Sequence, residues 1–237
     1  MKKYALVTGS SDRIGKSVAI HLAKMGYNLL LHYNSSSEKA EKVKSEILKI
    51  GVQAETLHFN FLENNDYDAA LAELKNRGIA LEILVNTASD FVPSNFEMKG
   101  KDLLEKEMKI NFENAYLLTK AFARTYSQGC IINFLDTKVT KNHSEHLDYL
   151  LSKKMLLEFT KLSALELAPH FRVNGIAPGL ILPPKDKDET YLLNLAKNIP
   201  LKTIGNLDEI NKAMQFIIES YFFTGQILYI DGGDHLI

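Results

Sequence analysis

The sequence predicts an α/β fold in which helices cover both faces of a parallel sheet. Three observations predict it. Short apolar runs alternate with longer amphipathic segments along all 237 residues. The runs are continuously apolar, as in Leu29-Leu30-Leu31 and Ile131-Ile132, which suits strands covered on both faces. At 46% hydrophobic and 24% charged, the chain has the proportions of a folded globular protein. No composition shift, repeat or low-complexity tract marks a linker, so residues 1–237 are read as one domain.

Taken in order, Tyr4–Thr8 is a buried strand, and Ile14–Met25 a helix stopped by Gly26. Leu29–Tyr33 is the second strand, followed by a charged helix from about Ser36 to Lys49. Strands Gln53–His58 and Leu81–Asn86 flank a helix near Tyr67–Lys75. One long helix covers Leu103–Tyr126. Strand Cys130–Leu135, helix Leu147–Leu167 and strand Val173–Ala177 come next, and helix Leu207–Ser220 precedes strand Ile227–Ile230. Seven strands separated by helices define a doubly wound, Rossmann-type sheet. Ser89–Gly100, and Gly179 to about Glu189 with Pro183-Pro184, read as long loops. Both leave strands at the carboxyl edge, where such sheets bind ligands, so both are candidate walls of a site.

Charge and cysteine content exclude several classes. With 28 basic and 29 acidic residues, the chain has no electrostatic footprint for nucleic acid or an anionic membrane. Cys130 is the single cysteine, which favours a reducing compartment and reads as core rather than nucleophile. The apolar stretch after Lys2 and Lys3 is only Tyr4–Val7, too short for a signal peptide, and no run approaches a membrane span. A cytoplasmic protein is expected.

The first strand ends in Thr8-Gly9-Ser10-Ser11-Asp12-Arg13-Ile14-Gly15 and runs into a helix. Gly9 can take the backbone shape of a tight turn, and Gly15 lets the helix pack close on the sheet. The free N–H groups at the helix start, Ile14 among them, then face an anion, most simply a dinucleotide pyrophosphate. Further on, Tyr149 and Lys153 form a YxxxK motif, which on a helix places both side chains on one face, one turn apart. An ammonium beside a phenol favours the phenolate and lowers the tyrosine pKa toward the working pH. Such a tyrosine can pass a proton to or from a substrate as hydride moves. A second match, Tyr116 to Lys120, lies mid-helix and reads as surface or interface packing.

These motifs resemble the short-chain dehydrogenase/reductase family, whose turn reads TGxxxGxG, and the resemblance runs the whole length to Asp231-Gly232-Gly233. Arg13 replaces the middle glycine and offers a donor fork suited to phosphate. The family's acidic position on the second strand falls at Tyr33, eighteen residues after Gly15, and Asn34, Ser35, Ser36 and Ser37 follow, with Lys39 nearby. Donors without a carboxylate suit a 2′-phosphate, so NADPH is the expected cofactor. The resemblance implies that Tyr149 is the proton donor, that Lys153 binds the cofactor ribose, and that Asn111 holds a proton-relay water. It implies cofactor contacts from Asn60 and Phe61 after the third strand, and from Asn86, Ala88 and Ser89 where the family has NNAG. Pro178-Gly179 matches its turn beside the nicotinamide. It also implies a homotetramer built on helices Leu103–Tyr126 and Leu147–Leu167.

One departure is informative. The family's serine, thirteen residues before the tyrosine, is Asp136. A carboxyl held protonated can deliver a proton to nitrogen, which suits reduction of a C=N bond. Arg13, His32-Tyr33, Ser89, Phe91 and Asp136 together are similar to pteridine and dihydromonapterin reductases. That resemblance implies a pterin or folate stacked between Phe91 and the nicotinamide, with Arg13 and Ser89 lining the pocket and Asp136 and Tyr149 supplying protons. Two rivals stand beside it. A 3-oxoacyl-thioester reductase would carry serine at Asp136 and glycine at Ser89. A non-catalytic dinucleotide-binding regulator would not need Asn111, Tyr149 and Lys153. His143 and His146 have metal-like spacing but no third ligand in view, and no metal is expected.

Overall fold

The structure, a computed structural model, describes residues 3–142, 145–184 and 187–237. Its strands are β1 (Lys3–Thr8), β2 (Asn28–Tyr33), β3 (Ala54–His58), β4 (Ala80–Asn86), β5 (Gly129–Phe134), β6 (Phe171–Pro178) and β7 (Ile227–Ile230). Its α-helices are α1 (Arg13–Lys24), α2 (Ser37–Ile50), α3 (Tyr67–Asn76), α4 (Asp102–Met108), α5 (Asn114–Thr125), α6 (Leu147–Leu167), α7 (Glu189–Ala196) and α8 (Leu207–Glu219). The strands form one sheet in the order β3-β2-β1-β4-β5-β6-β7, and every neighbouring pair is parallel. The expected seven-stranded, doubly wound sheet is therefore observed.

Strand alternation distributes the apolar side chains between two cores. In β1, Ala5 and Val7 pack with Leu22 of α1, Ile47 of α2 and Met214 of α8. Tyr4 and Leu6 point to the other face and pack with Leu71 of α3 and Phe122 of α5. Both faces are thus dry, which is why the strands carry no polar alternation. The chain leaves β1 toward β2 on one side and returns to β4 on the other. This reversal opens a crevice at the carboxyl ends of β1 and β4, where Thr8 and Asn86 lie in register.

Two elements differ from expectation. The long helix before β5 is interrupted at Lys109–Glu113 by a π-helical turn, in which the Asn114 N–H bonds to the Lys109 carbonyl. The Asn114 side chain reinforces the widened turn, donating to Lys109 O at 2.6 Å and to Phe61 O at 3.0 Å. One residue of extra winding hardly disturbs an apolar repeat, so periodicity reads straight through it. The second element is α7, which follows the loop after β6. It spans eight residues, buries Leu192 and Ala196, and is capped by the Asp188 carboxylate. Two buried positions are too few to announce a helix by period. Lys185 and Asp186 of the charged stretch in that loop, like His143 of the His143–His146 pair, lie outside the described residues. No helix among the described residues is long and apolar enough to cross a membrane.

Candidate active site

The crevice begins with the turn after β1. Thr8 Oγ1 accepts from the Thr87 and Ala88 N–H groups at 3.0 and 3.1 Å, tying the ends of β1 and β4 together. Gly9 has φ of +64°, and a Cβ there would lie 2.9 Å from Ala88 Cα. His32 holds the turn from below. Burial lowers its pKa to about 4, so the ring is neutral, and Nδ1 accepts from the Gly9 N–H at 3.0 Å. Nε2 is then the protonated nitrogen and donates to Phe59 O at 3.1 Å. Sequence reading used His32 only as part of a resemblance. Its role is set by a contact across 23 positions that no local motif encodes.

Arg13 stands in the left-handed region, with φ of 52°, at the position of the family glycine. That conformation costs a non-glycine residue on the order of 1 kcal/mol. The Asp12 carboxylate accepts the Arg13 N–H at 2.8 Å and bonds to Lys39 Nζ at 2.5 Å, while Arg13 Nη2 donates to Pro183 O at 2.7 Å. The first bond of the helical ladder runs from Lys16 N–H to Asp12 O, so the Ile14 and Gly15 amides precede it. Both residues line the cleft, and this donor set fits a pyrophosphate.

Gly15 is the tightest point of the turn. A Cβ would lie 2.2 Å from Gly9 O and 2.8 Å from Thr87 Oγ1. Gly15→Ala is expected to destabilise the fold by about 1–3 kcal/mol, the usual cost of forced overpacking, and to weaken dinucleotide binding. Chemical denaturation with a cofactor titration checks this. Unchanged stability and affinity would show that the turn tolerates the methyl group.

A cleft of about 520 Å³ extends from this turn. Of the expected cofactor residues it is lined by Gly9, Arg13, Ile14, Gly15, Tyr33, Asn34, Ser35, Ser36, Phe61, Ala88 and Ser89. Two expected residues, Asn60 and Asn86, line neither this cleft nor the cavity beside it. Asn60 closes a local turn, donating to Glu63 Oε1 at 2.7 Å and accepting from the Leu62 N–H at 3.1 Å. Asn86 is buried in the sheet and donates to Asn133 Oδ1 on β5 at 2.8 Å, a sheet-supporting part.

A second cavity of about 380 Å³ adjoins the first and shares Arg13, Ile14, Thr87 and Ser89 with it. Phe91, Asp136, Tyr149, Lys153, Pro178 and Gly179 line it, and α7 contributes Tyr191, Leu192 and Leu195, which the sequence did not flag. Asp136 follows β5 and Tyr149 lies in the first turn of α6. The Tyr149 hydroxyl donates to Asp136 Oδ2 at 2.8 Å, and Asp136 Oδ1 accepts from the Lys138 N–H at 2.8 Å. Lys153 Nζ donates to Phe134 O at 2.8 Å and lies 5.8 Å from the Tyr149 ring centroid. Tyr116 lies elsewhere, on α5, where Lys120 Nζ donates to its hydroxyl at 3.1 Å.

The Tyr149 phenol is not acidified as its spacing to Lys153 predicts. Burial, followed by the charge and hydrogen bond of Asp136, pushes the phenol well above its ordinary value rather than below it. The motif spacing supplies a cation one turn away but does not show the carboxyl group bonded to the phenol. Burial also lowers Lys153 to about 8, opposed by the charges of Asp136 and Glu107.

Asn111 lies in the π-helical turn, buried, with its amide committed to protein partners. Oδ1 accepts from Ser89 Oγ at 2.9 Å and the Asp90 N–H at 2.8 Å. Nδ2 is shared among Asp90 O at 3.2 Å, Ser152 Oγ at 3.1 Å and Glu107 Oε2. Phe91 is 39% exposed toward the second cavity. Its ring stacks on His146 at 3.9 Å, meets Tyr149 edge-on at 4.7 Å and has Lys138 Nζ 4.8 Å from its centroid. One face of the expected stacking platform is therefore already covered, by His146. No cluster of three or more metal-ligating side chains occurs among the described residues.

A parallel sheet with a glycine turn at its switch point and a Tyr–Lys pair beside it defines a nucleotide-dependent oxidoreductase. The short chain dehydrogenase profile matches residues 3–190, and the chain belongs to that family. Among curated relatives, 3-oxoacyl-(acyl-carrier-protein) reductase FabG of Staphylococcus epidermidis is 30% identical over 250 residues, covering 100% of both chains. Dihydromonapterin reductase of Escherichia coli O6:K15:H31 is 28% identical over 236 residues, covering 98% of this chain and 96% of the relative. Among solved structures, FolM alternative dihydrofolate reductase 1 from Brucella canis, complexed with NADP, superposes with a TM-score of 0.92 at 27% identity, covering 100% of this chain and 94% of that one. The cofactor expected from the second strand agrees with the NADP held by that relative.

Proposed function

We propose that this chain is an NADPH-dependent reductase that transfers hydride to a pterin ring, taking a dihydropterin, or the pterin ring of dihydrofolate, to the tetrahydro form. The single observation that carries it is the hydrogen bond from the Tyr149 hydroxyl to Asp136 Oδ2 at the wall of a cavity bordered by Phe91. Reduction of a C=N bond places hydride on carbon and one proton on the adjacent nitrogen. The Tyr149 hydroxyl gives its proton to Asp136, 2.8 Å away, and Asp136 passes it to that nitrogen. Lys153, buried behind the phenol, stabilises the negative charge that Tyr149 acquires as it gives up its proton. Bound NADPH supplies the hydride from its nicotinamide. The glycine turn and the residues after β2 hold that cofactor, and the absence of a carboxylate there suits its 2′-phosphate. Similarity to the Brucella and Escherichia reductases supports the substrate class.

The 30% sequence identity to the Staphylococcus epidermidis FabG favours a second reading, reduction of a 3-oxoacyl thioester. Against it stand Asp136 and Ser89, where that chemistry suits a serine and a glycine. Purified protein with NADPH is offered dihydrobiopterin, dihydrofolate and an acetoacetyl thioester in turn, and cofactor oxidation is followed. Oxidation with either pterin supports the first reading. Oxidation with the thioester alone rejects it, and cofactor binding without turnover favours a non-catalytic regulator. Exposed Leu117 on α5, with Leu151, Met155, Leu162 and Leu165 on α6, supports assembly of these helices against a second copy, as in a homotetramer.

A further inference from the structure

Glu107 has no part in the proton path described above, yet it is fully buried on α4, one turn before Asn111. Among the described residues it has no ion-pair partner, because Lys106 beside it pairs with Asp90 at 2.6 Å. A buried carboxyl without a cation is expensive and calls for a compensating task. Its two oxygens divide between two donors. Oε1 accepts from the Val92 N–H at 3.1 Å, and Oε2 accepts from the Asn111 side chain. Asn111 in turn holds Ser89 and both backbone groups of Asp90. The segment 89–92 therefore hangs from two side chains one helical turn apart, and Phe91 sits between the anchored residues.

We propose that Glu107 is a positioning residue: as an ionised double acceptor it fixes residues 89–92, and with them the Phe91 ring, against the Tyr149 phenol. Glutamine cannot replace it. One of its two terminal atoms is a donor, and that atom would face either the Val92 N–H or the Asn111 amide. A protonated glutamic acid has the same defect, since one oxygen then carries a hydrogen. Burial, followed by the charge of Asp90, raises Glu107 to about 7, opposed by the Asn111 and Val92 hydrogen bonds and by Lys106. From α6, Lys153 and Tyr149 also feel its charge. The loop is thus held above about pH 7 and released below it.

Stability runs the other way. A carboxyl whose pKa is raised in the folded state binds protons more tightly there than in the unfolded chain. Its contribution to stability is full below the unfolded value and is lost as pH rises through about 7. An ionised Glu107 therefore orders the loop at a cost to the fold.

This assignment rests on the reading of Phe91 as a wall of the substrate cavity, and holds whether a pterin or a thioester proves to be the substrate. The test compares wild type with Glu107→Gln. With whichever substrate is turned over, the variant is expected to raise that substrate's KM by about tenfold, the effect of losing one hydrogen bond to a charged group, with a smaller change in kcat and in the KM for NADPH. Wild-type KM should rise as pH falls through about 7, and the variant's should not vary there. Hydrogen exchange over residues 89–92 needs no substrate. After correction for intrinsic rates, it should be faster in the variant at pH 8 and should match wild type at pH 6. Thermal melts at pH 8 should find the variant at least as stable as wild type. A variant that melts lower at pH 8, with unchanged exchange and unchanged KM, would overturn the proposal and leave Glu107 as packing.

Discussion

Tyr149→Phe is expected to lower kcat by about 10²- to 10⁴-fold, the range in which a positioned proton donor contributes. The phenol is buried, and its hydroxyl is the only atom this substitution removes. No rearrangement of the Phe91 ring, which meets it edge-on at 4.7 Å, is required. The cleft for the dinucleotide is built from other residues, so NADPH affinity should stay within about threefold, well under 1 kcal/mol. Asp136 loses one donor at Oδ2 but keeps the Lys138 N–H at Oδ1, and the stability loss should be about 1 kcal/mol. A variant retaining more than a tenth of wild-type kcat would remove Tyr149 from the proton path. The pH profile supplies an independent check. Burial places Lys153 at about 8, so its ammonium is present below that value and lost above it. Wild-type kcat/KM, which reports the free enzyme, should fall as pH rises through about 8. A flat profile from pH 7 to 10 would mean that the charge on Lys153 does not matter to the reaction.

The fold was legible because its signals are local. Continuously apolar runs such as Leu29–Leu31 mark strands covered on both faces, and a glycine pair between strand and helix marks the switch-point turn. The partners of the site were legible through spacing and resemblance: Tyr149 and Lys153 are one turn apart on α6, and Asp136, just after β5, stands where the family has a serine, thirteen positions before the tyrosine. What spacing could not convey was contact. It placed a cation near the phenol and so predicted a lowered pKa, whereas burial and the directly bonded Asp136 reverse the sign. Resemblance placed Asn60 near the cofactor, but its side chain closes a local turn, whereas Asn86 supports the sheet as expected by pairing with Asn133. Glu107 escaped notice for the converse reason. In α4 it is one of several acids, and only the fold distinguishes it from the exposed Glu105 by closing the loop 89–92 over it. His32 is similar, an apolar-strand histidine whose contact with the Gly9 N–H depends on strand register.

Asp136→Ser separates the two chemistries that this family site can run. A serine hydroxyl at this position can still accept the Lys138 N–H and start the turn at Thr137–Thr140, since serine is a good cap, so the fold should survive. It can also hydrogen-bond to the Tyr149 hydroxyl and polarise a ketone oxygen. It cannot carry a proton to a ring nitrogen at neutral pH, because a hydroxyl gives up its proton far less readily than a carboxyl. Pterin turnover should therefore drop by at least about tenfold, roughly 1.4 kcal/mol of barrier, while NADPH binding is retained. Any activity toward an acetoacetyl thioester should be equal to or greater than that of wild type, since the changed residue now matches that reaction. Side-by-side assays of wild type and variant on dihydrobiopterin and the thioester read both directions at once. If both substrates lose activity equally, the carboxyl serves only to hold Tyr149 and the preference for C=N over C=O must lie elsewhere. If pterin turnover is unchanged, Asp136 carries no proton. The hydroxyl of Tyr149 would then have to reach the ring nitrogen directly across the cavity that Phe91 and Arg13 border.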